Sequence, residues 1–148
     1  LWGGPHFTLT KYEQYIKDEI EIINDLEAIS SSMPLDLKPY IEKAKLIKTE
    51  KLFIIKFDKI DVLDSIIDKL KDLGYTTKPS KFHITLGDID ELSRIDTLYN
   101  IIQNSLTNSS LASELKKYLI NQEWTLTYTT KQLDKVSWAK QFSFKNHR

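Results

Sequence analysis

A change of hydrophobic period marks residues 51–90 and limits the folds that this chain can adopt. Residues 51–58, "KLFIIKFD", are rich in β-branched and aromatic residues and predict a strand. Apolar residues then recur at helical spacing from Asp61, a favourable N-cap residue, to Leu73, and Gly74 stands where a glycine ends many helices. Residues 82–89, "FHITLGDI", predict a second strand. This succession favours a layered α/β chain over a helical bundle.

The same two periods predict elements on the N-terminal side. We expect a short strand at "HFTL", residues 6–9, and an amphipathic helix from Lys11 to Ile29. The cluster "SSSMP" ends that helix, because serine and proline disfavour its continuation. Residues 35–47 are ambiguous, and their alternating stretches suggest one or two edge strands.

The C-terminal part adds helices and a final pair of strands. Residues 91–121 carry two helical patterns, broken at "TNSS", and residues 123–130 and 136–144 predict two strands. The order is β-α-β-β-α-β, followed by helices and two strands. Two pseudo-symmetric lobes of sheet and helix would fit this order, each contributing one histidine motif.

The composition fits a single globular domain without cross-links. Of 148 residues, 41% are apolar and 28% charged, which suffices for a buried core. Cysteine is absent, which excludes disulfide scaffolds, zinc knuckles and thiol nucleophiles and fits a reducing cytoplasm. The 21 basic and 21 acidic residues cancel, which favours a short substrate or a local basic patch over long nucleic acid.

The ends of the sequence suggest a larger parent protein. No apolar run reaches the length of a membrane span, and the initial "LWGGP" lacks the features of a secretory signal. The chain also has no initiator methionine. We therefore expect residues 1–148 to form one domain excised from a longer chain.

Two of the three histidines share a four-residue frame. "HFTL" contains His6 and Thr8, and "HITL" contains His83 and Thr85. Because side chains alternate along a strand, each motif directs one imidazole and one hydroxyl to the same face. Two imidazoles can act as base and acid near neutral pH, and a hydroxyl can donate to a phosphate oxygen. One motif alone fits an ordinary strand with a partly exposed histidine, whereas chance explains the pair poorly.

These twin motifs resemble those of the two-histidine phosphoesterases, the 2H superfamily. The strand "KLFIIKF", the helix ending in "LKDLGY", the basic loop and "FHITLGDI" are similar to that family's second half in order and spacing. The resemblance covers most of the chain. It implies an α/β (α+β) bilobal fold, with two pseudo-symmetric antiparallel-sheet lobes, flanking helices and a central groove.

The resemblance also implies a mechanism without metal or cofactor. One of His6 and His83 would deprotonate the attacking hydroxyl or water, and the other would protonate the departing ribose oxygen. Thr8 and Thr85 would hold the phosphoryl oxygens. Which histidine has which role stays open. The third histidine, His147, lies in the terminal "KNHR" and is expected to be a solvated tail residue.

The early position of the first motif points to a compact branch of the family. Cellular members of the family usually carry a strand and a helix ahead of that motif, whereas here His6 lies almost at the start of the sequence. The chain resembles the 2′,5′-phosphodiesterase domains of larger viral proteins, such as the C-terminal domain of the rotavirus capping protein. That branch implies cleavage of 2′,5′-oligoadenylate, which blocks RNase L activation and antagonises host innate immunity. It also implies a larger viral parent polypeptide in the host cytoplasm or the virion, and no membrane partner.

Four further residues are candidates for substrate binding. Lys78 and Lys81 precede the second motif and could face phosphates, or they could be solvated loop lysines. Tyr128 and Trp138, with Trp124 as another choice, could stack on adenine, or they could belong to the core. Two alternative functions stay open. One is processing of RNA ends or 2′,3′-cyclic phosphates, and the other is noncatalytic nucleotide or RNA binding.

Overall fold

The computed structural model describes residues 6–11, 17–78, 81–88, 113–132 and 135–145. Within these ranges the chain is a mixed α+β protein with four helices and two small antiparallel sheets. The sequence-based prediction of a mixed α and β class is therefore confirmed. The chain divides into two compact units. Unit 1 contains residues 6–8, 37–60, 81–88 and 113–122, and unit 2 contains the remaining described residues.

Unit 1 is built on a three-stranded antiparallel sheet. Its strands are β1 (Lys45–Lys48), β2 (Leu52–Lys56) and β3 (His83–Asp88), in the order β1-β2-β3. Two helices of this unit, α2 (Lys38–Lys43) and α4 (Ser113–Ile120), pack against each other. The strands at residues 51–58 and 82–89 that the hydrophobic period predicts are thus confirmed.

One face of this sheet is the core of unit 1. Along β2 and β3 the side chains that are almost fully buried alternate with half-buried or exposed ones, as expected for a sheet that is covered on one side. The buried set consists of Leu46, Phe53, Ile55, Ile84 and Leu86. Full burial of such a side chain contributes about 1.5–3 kcal/mol relative to exposure, so this face fixes the register of the strands.

Unit 2 combines two helices with a two-stranded sheet. Its elements are α1 (Glu19–Ser32), α3 (Asp61–Asp72), β4 (Thr125–Gln132) and β5 (Lys135–Ser143). Helix α1 packs on the hairpin of β4 and β5. The two closing strands and the helix that begins at Asp61 are therefore confirmed.

Helix α3 ends as its sequence predicts. Gly74 has a φ of 95°, and its amide donates to the carbonyl of Lys71. The amide of Tyr75 donates to the carbonyl of Leu70. These two bonds form a Schellman motif, which needs a residue with positive φ at the position of the glycine.

The boundaries of α1 differ from the prediction. Helix α1 begins at Glu19 rather than at Lys11, and residues 12–16 lie outside the described ranges. The serine run does not stop the helix but forms its last turn, where Ser32 donates to the carbonyl of Ile29. Helix α1 ends at Ser32, and its C-cap residue Met33 is extended and directly precedes Pro34. The serines tolerate the last helical turn because their hydroxyls bond to the carbonyls one turn earlier.

The strand predictions for two segments need correction. Residues 6–9 form no strand, and only Thr10 makes an isolated antiparallel bridge, to Thr77. Of the one or two edge strands expected at residues 35–47, the structure contains one, β1, and the preceding residues form α2 instead of a strand. The overlooked signal is Pro39, which lies in the first turn of α2, where a missing amide proton costs no hydrogen bond.

Two further predictions concern segments that the structure covers only in part. Of the two helical patterns at residues 91–121, α4 accounts for the second, and residues 89–112 lie outside the described ranges. In the described part of the chain, no helix has the length and apolar character needed to cross a membrane.

Candidate functional site

The second motif lies on β3 with the alternation that its sequence predicts. His83 and Thr85 are exposed, whereas Ile84 and Leu86 are 0% and 3% exposed. Burial of the two aliphatic side chains against the core leaves the imidazole and the hydroxyl on the outward face. The structure therefore confirms that His83 and Thr85 share one face of a strand.

A bulge follows directly after Thr85. Phe53 pairs with Gly87 and Ile54 pairs with Thr85, so that Leu86 is an additional residue in β3. Bulges bend a strand and redirect its side chains, and they are frequent next to active sites. Here the bulge separates the part of β3 that carries the motif from the end of the strand.

The outward face of this sheet places cations beside His83. Lys56 pairs with His83, and Lys45 pairs with Lys56 on the other side. Directly opposite residues in an antiparallel sheet point to the same face, with their Cβ atoms about 5 Å apart. Lys45, Lys56 and His83 are all exposed, so they form one row across the three strands.

The first motif is held by its phenylalanine rather than by a strand. The ring of Phe7 packs edge-on against Phe57, with centroids 5.0 Å apart, and against Phe82, with centroids 6.1 Å apart. Phe57 and Phe82 are buried, and the amide of Phe57 donates to the carbonyl of Phe82. Because Phe82 directly precedes His83, this cluster links the first motif to the start of the second motif within unit 1.

The polar residues of the first motif reach the surface on either side of Phe7. Thr8 is exposed, and His6 and Phe7 are half-buried. Although Phe7 is only half-buried, its ring contacts the core of unit 1. The histidine and threonine of both motifs belong to unit 1, so the two units do not each contribute one motif, as the sequence suggested for two lobes.

Within unit 2, Leu9 and the residues that follow it pair with residues that precede the second motif. The amide of Lys78 donates to the carbonyl of Leu9, and the amide of Lys11 donates to the carbonyl of Thr76. Together with the bridge between Thr10 and Thr77, these bonds form a short antiparallel ladder between residues 9–11 and residues 76–78.

A polar cluster of Lys17, Asp25 and Tyr75 lies directly before residues 76–78 of this ladder. The hydroxyl of Tyr75 and the Nζ of Lys17 both donate to Oδ2 of Asp25, at 2.8 Å each. The Nζ of Lys17 also lies 4.6 Å from the centroid of the Tyr75 ring. Tyr75 directly precedes Thr76, so the cluster anchors the chain just before the ladder to Lys11.

The cluster shifts the pKa values of two of its members. Burial raises the pKa of Asp25, but the hydrogen bonds from Lys17 and Tyr75 and the charge of Lys17 outweigh it, so this pKa lies below its ordinary value. Burial, then the hydrogen bond to Asp25 and its charge, raise the pKa of Tyr75 well above its ordinary value. Asp25 is therefore ionised and Tyr75 protonated at neutral pH.

The substrate-binding residues that the sequence suggests are distributed between the two units. Lys81 is exposed and belongs to unit 1, as the motifs do. Lys78, which is exposed, and Tyr128 and Trp124, which are half-buried, belong to unit 2. Trp138 pairs with Thr129 in the backbone ladder of β4 and β5. Contact of these residues with a substrate stays a prediction.

Two other sequence-based expectations concern metals and the terminal histidine. His147 lies outside the described residues. Across the described ranges, no three histidine, aspartate or glutamate side chains cluster in a way that could hold a metal ion. Independence from metal stays a prediction that chelation tests directly.

Sequence reasoning missed Lys45 and Lys56 as neighbours of the site. The alternation of β2 shows that Lys56 points away from Phe53 and Ile55, but it does not show which residue stands opposite. Pairing depends on the register between strands that are distant in sequence.

Comparisons of the chain with protein-family models, curated proteins and solved structures find no match.

Proposed function

We propose that this chain is a two-histidine phosphodiesterase that cleaves 2′,5′-linked oligoadenylates without a metal ion. The observation that carries the proposal is the placement of both H-x-T motifs in unit 1, with Phe7 of the first packed on the residue before His83. The exposed imidazole and hydroxyl of the second motif point to the same face. The twin motifs also supply the resemblance to the two-histidine phosphoesterases. In this proposal, the chain has the two-lobed fold of that family.

The two histidines act as a base and an acid in this mechanism. One imidazole takes the proton of the attacking water or hydroxyl while the oxygen of that nucleophile forms a bond to phosphorus. The other imidazole gives a proton to the ribose oxygen as the phosphorus–oxygen bond to the leaving group breaks. The hydroxyls of Thr8 and Thr85 donate to the non-bridging oxygens, where negative charge accumulates in the transition state.

The neutral charge of the chain supports a short substrate. A protein that holds a long nucleic acid through many phosphates needs a basic excess, whereas here 21 basic and 21 acidic residues cancel. A 2′,5′-oligoadenylate is short and is the messenger that activates RNase L. Its removal would make the domain an antagonist of host innate immunity, working in the host cytoplasm as part of a larger viral polypeptide.

One assay tests the reaction and its substrate together. The purified chain is incubated with 2′,5′-triadenylate, 3′,5′-triadenylate and a 2′,3′-cyclic nucleotide, each with and without EDTA. We expect loss of the 2′,5′ substrate at the same rate in EDTA, and no loss after His6→Ala or His83→Ala. Turnover of the cyclic nucleotide alone would identify an end-processing enzyme, and binding without turnover would identify a noncatalytic module.

A further inference from the structure

The outward face of the sheet in unit 1 carries two lysines, Lys45 and Lys56, for which the proposed chemistry has no use. Lys45, Lys56 and His83 stand directly opposite one another across β1, β2 and β3. All three are exposed. Within the described ranges, neither lysine has an ion-pair partner.

The pairing of Lys45 with Lys56 breaks a local rule of sheet design. Like charges directly opposite each other in an antiparallel pair repel and destabilise the sheet. A lysine on an edge strand has a general use, because it prevents pairing with other chains, and this accounts for Lys45 on β1. Lys56 lies on the central strand β2, where that explanation does not apply. Natural sequences break such rules mainly where function requires it.

A second row on the same face is aliphatic. Ile47 pairs with Ile54, and Ile54 pairs with Thr85. Both isoleucines are half-buried, so part of each side chain stays open to solvent. The face therefore has a basic row that ends at the motif histidine and, beside it, an apolar row that ends at the motif threonine.

These two adjacent rows match the chemistry of a nucleotide chain. An oligonucleotide presents phosphates along one side and sugars and bases, with their apolar surfaces, along the other. A free anion would need only the basic row. The presence of both rows, ending at the same motif, favours an oligonucleotide over an isolated phosphate.

We propose that Lys56 and Lys45 bind the substrate phosphates beyond the one that reacts, while Ile54 and Ile47 contact the neighbouring sugar or base. The proposal rests on the function proposed above and specifies the substrate as a chain of several phosphates. Strand spacing places the Cβ atom of Lys56 about 5 Å from that of His83, and the Cβ atom of Lys45 about 10 Å from it. The face is an extended binding site that favours longer or 5′-phosphorylated oligoadenylates over a dinucleotide with a single phosphate.

The main test compares substrates that differ in their number of phosphates. Lys56→Met and Lys45→Met are assayed with 5′-triphosphorylated 2′,5′-triadenylate and with the 2′,5′-linked dinucleoside monophosphate. For the longer substrate we expect KM to rise about tenfold in Lys56→Met and about threefold in Lys45→Met, with kcat unchanged. For the dinucleotide we expect less than a twofold change.

Lys51→Met is the matched control for charge. Lys51 is exposed and lies in the turn between β1 and β2, at the other end of these strands from Lys45 and Lys56. This variant loses the same charge but should leave both KM values unchanged. In Lys56→Met and Lys45→Met, the slope of log KM against log salt should fall by about 0.7 per lost phosphate contact. If Lys56→Met, Lys45→Met and Lys51→Met all had the same KM for the longer substrate, the proposal would be overturned.

Thermal stability separates binding from folding. Because Lys56→Met removes a repulsion, we expect its Tm to equal or exceed that of the wild type. Lys56→Arg keeps the charge and should restore most of the affinity for the longer substrate. A lower Tm in Lys56→Met, with no recovery of KM in Lys56→Arg, would show a structural role and overturn the proposal.

A binding measurement distinguishes this proposal from the proposed function. Inorganic tripolyphosphate is titrated into the full chain, and its affinity is measured by calorimetry without any turnover. Weaker binding in Lys56→Met and Lys45→Met, but not in Lys51→Met, supports the basic row even if no oligoadenylate is cleaved. Ile54→Asn should weaken binding of the longer oligoadenylate severalfold and leave tripolyphosphate unaffected. Unchanged binding of tripolyphosphate in both lysine variants would overturn the row even if the enzyme is active.

Discussion

The two H-x-T motifs have the same pattern in the sequence but are held in different ways. The second motif is part of β3, where Ile84 and Leu86 are buried and the strand pairs with β2. The first motif forms no strand, and the ring of Phe7 connects it to the core of unit 1. Groups on strands are positioned by a hydrogen-bonded ladder and by packing, which makes them more precise than groups on loops.

This difference shows that a four-residue sequence pattern can predict which side chains alternate along the backbone, but not which contacts hold the motif in place. In β3 the predicted alternation is present because the strand pairs with β2 and buries Ile84 and Leu86 on one face. At residues 6–9 the aromatic side chain supplies the anchor instead. The two motifs should therefore respond differently to mutation, and three experiments test the comparison.

The largest effect is expected for the histidines themselves. We expect His6→Gln and His83→Gln each to lower kcat/KM for 2′,5′-triadenylate by about 10³-fold, within the range of general acid–base catalysis. Both residues are needed despite their different support, because each moves a different proton. The measurement is steady-state kinetics, with circular dichroism as the check on folding.

An activated substrate then separates the two roles. A nucleotide ester with a p-nitrophenolate leaving group needs little protonation as its bond to phosphorus breaks. One of the two variants should recover most of its activity on this ester, and the other should not. Recovery of both or of neither would contradict a division into one acid and one base.

A pair of alanine substitutions tests the two kinds of anchor. Ile84→Ala removes a fully buried side chain and should lower the free energy of unfolding by about 2–4 kcal/mol. Phe7→Ala removes a half-buried ring and should cost only about 1 kcal/mol, yet it should lower kcat at least tenfold in the folded enzyme, because the first motif loses its anchor. Urea unfolding and kinetics at a temperature where both variants are folded give the two values.

The contrast between these variants decides the outcome. Phe7→Leu keeps an apolar contact and should recover part of kcat. If Phe7→Ala lowered stability as much as Ile84→Ala and kcat no further than the folded fraction, the ring would be ordinary core, and the comparison of the two anchors would fail.

The smallest effect concerns the polar cluster in unit 2. The folded-state pKa of Asp25 lies below its ordinary value of 3.8, so its stabilisation is complete above that value and is lost as pH falls through the folded pKa. The folded-state pKa of Tyr75 lies above its ordinary value of 10.0, so its contribution is complete below that value and is lost as pH rises through the folded pKa. Both contributions are present at neutral pH.

Substitution of Asp25 should reproduce the acid part of this profile. We expect Asp25→Asn to lower the free energy of unfolding by about 1 kcal/mol at pH 7, and the difference from the wild type to shrink as pH falls below 4. Hydrogen exchange should speed up at the amides of Lys11 and Lys78, which belong to the ladder after Tyr75. A difference that is constant with pH, or unchanged exchange at these amides, would contradict the assigned role.

Local patterns predicted much of the fold. The strand at residues 51–58, the helix from Asp61 and its end at Gly74 follow from composition, period and the positive φ that glycine tolerates. The outward position of His83 and Thr85 follows from strict alternation beside buried Ile84 and Leu86. These features depend on residues close in sequence, which is why the sequence reveals them.

Other features needed contacts between distant residues. The helix at Lys38–Lys43 was mistaken for strand because alternation over a short segment resembles one turn and a half of helix. The strand expected at "HFTL" is wrong, since residues 6–9 form no strand and the described backbone pairing of this segment begins at Leu9. Alternation by itself does not show whether a partner is present.

The sequence alone determined which residues carry the candidate chemistry, because His6, Thr8, His83 and Thr85 are visible as two copies of one pattern. Only the tertiary structure decided that both copies belong to one unit, that Phe7 packs on Phe82, and that Lys56 stands opposite His83. The physical reason is register. Side-chain alternation is a local property of the backbone, whereas the partner of each residue depends on how distant segments bury their apolar faces together.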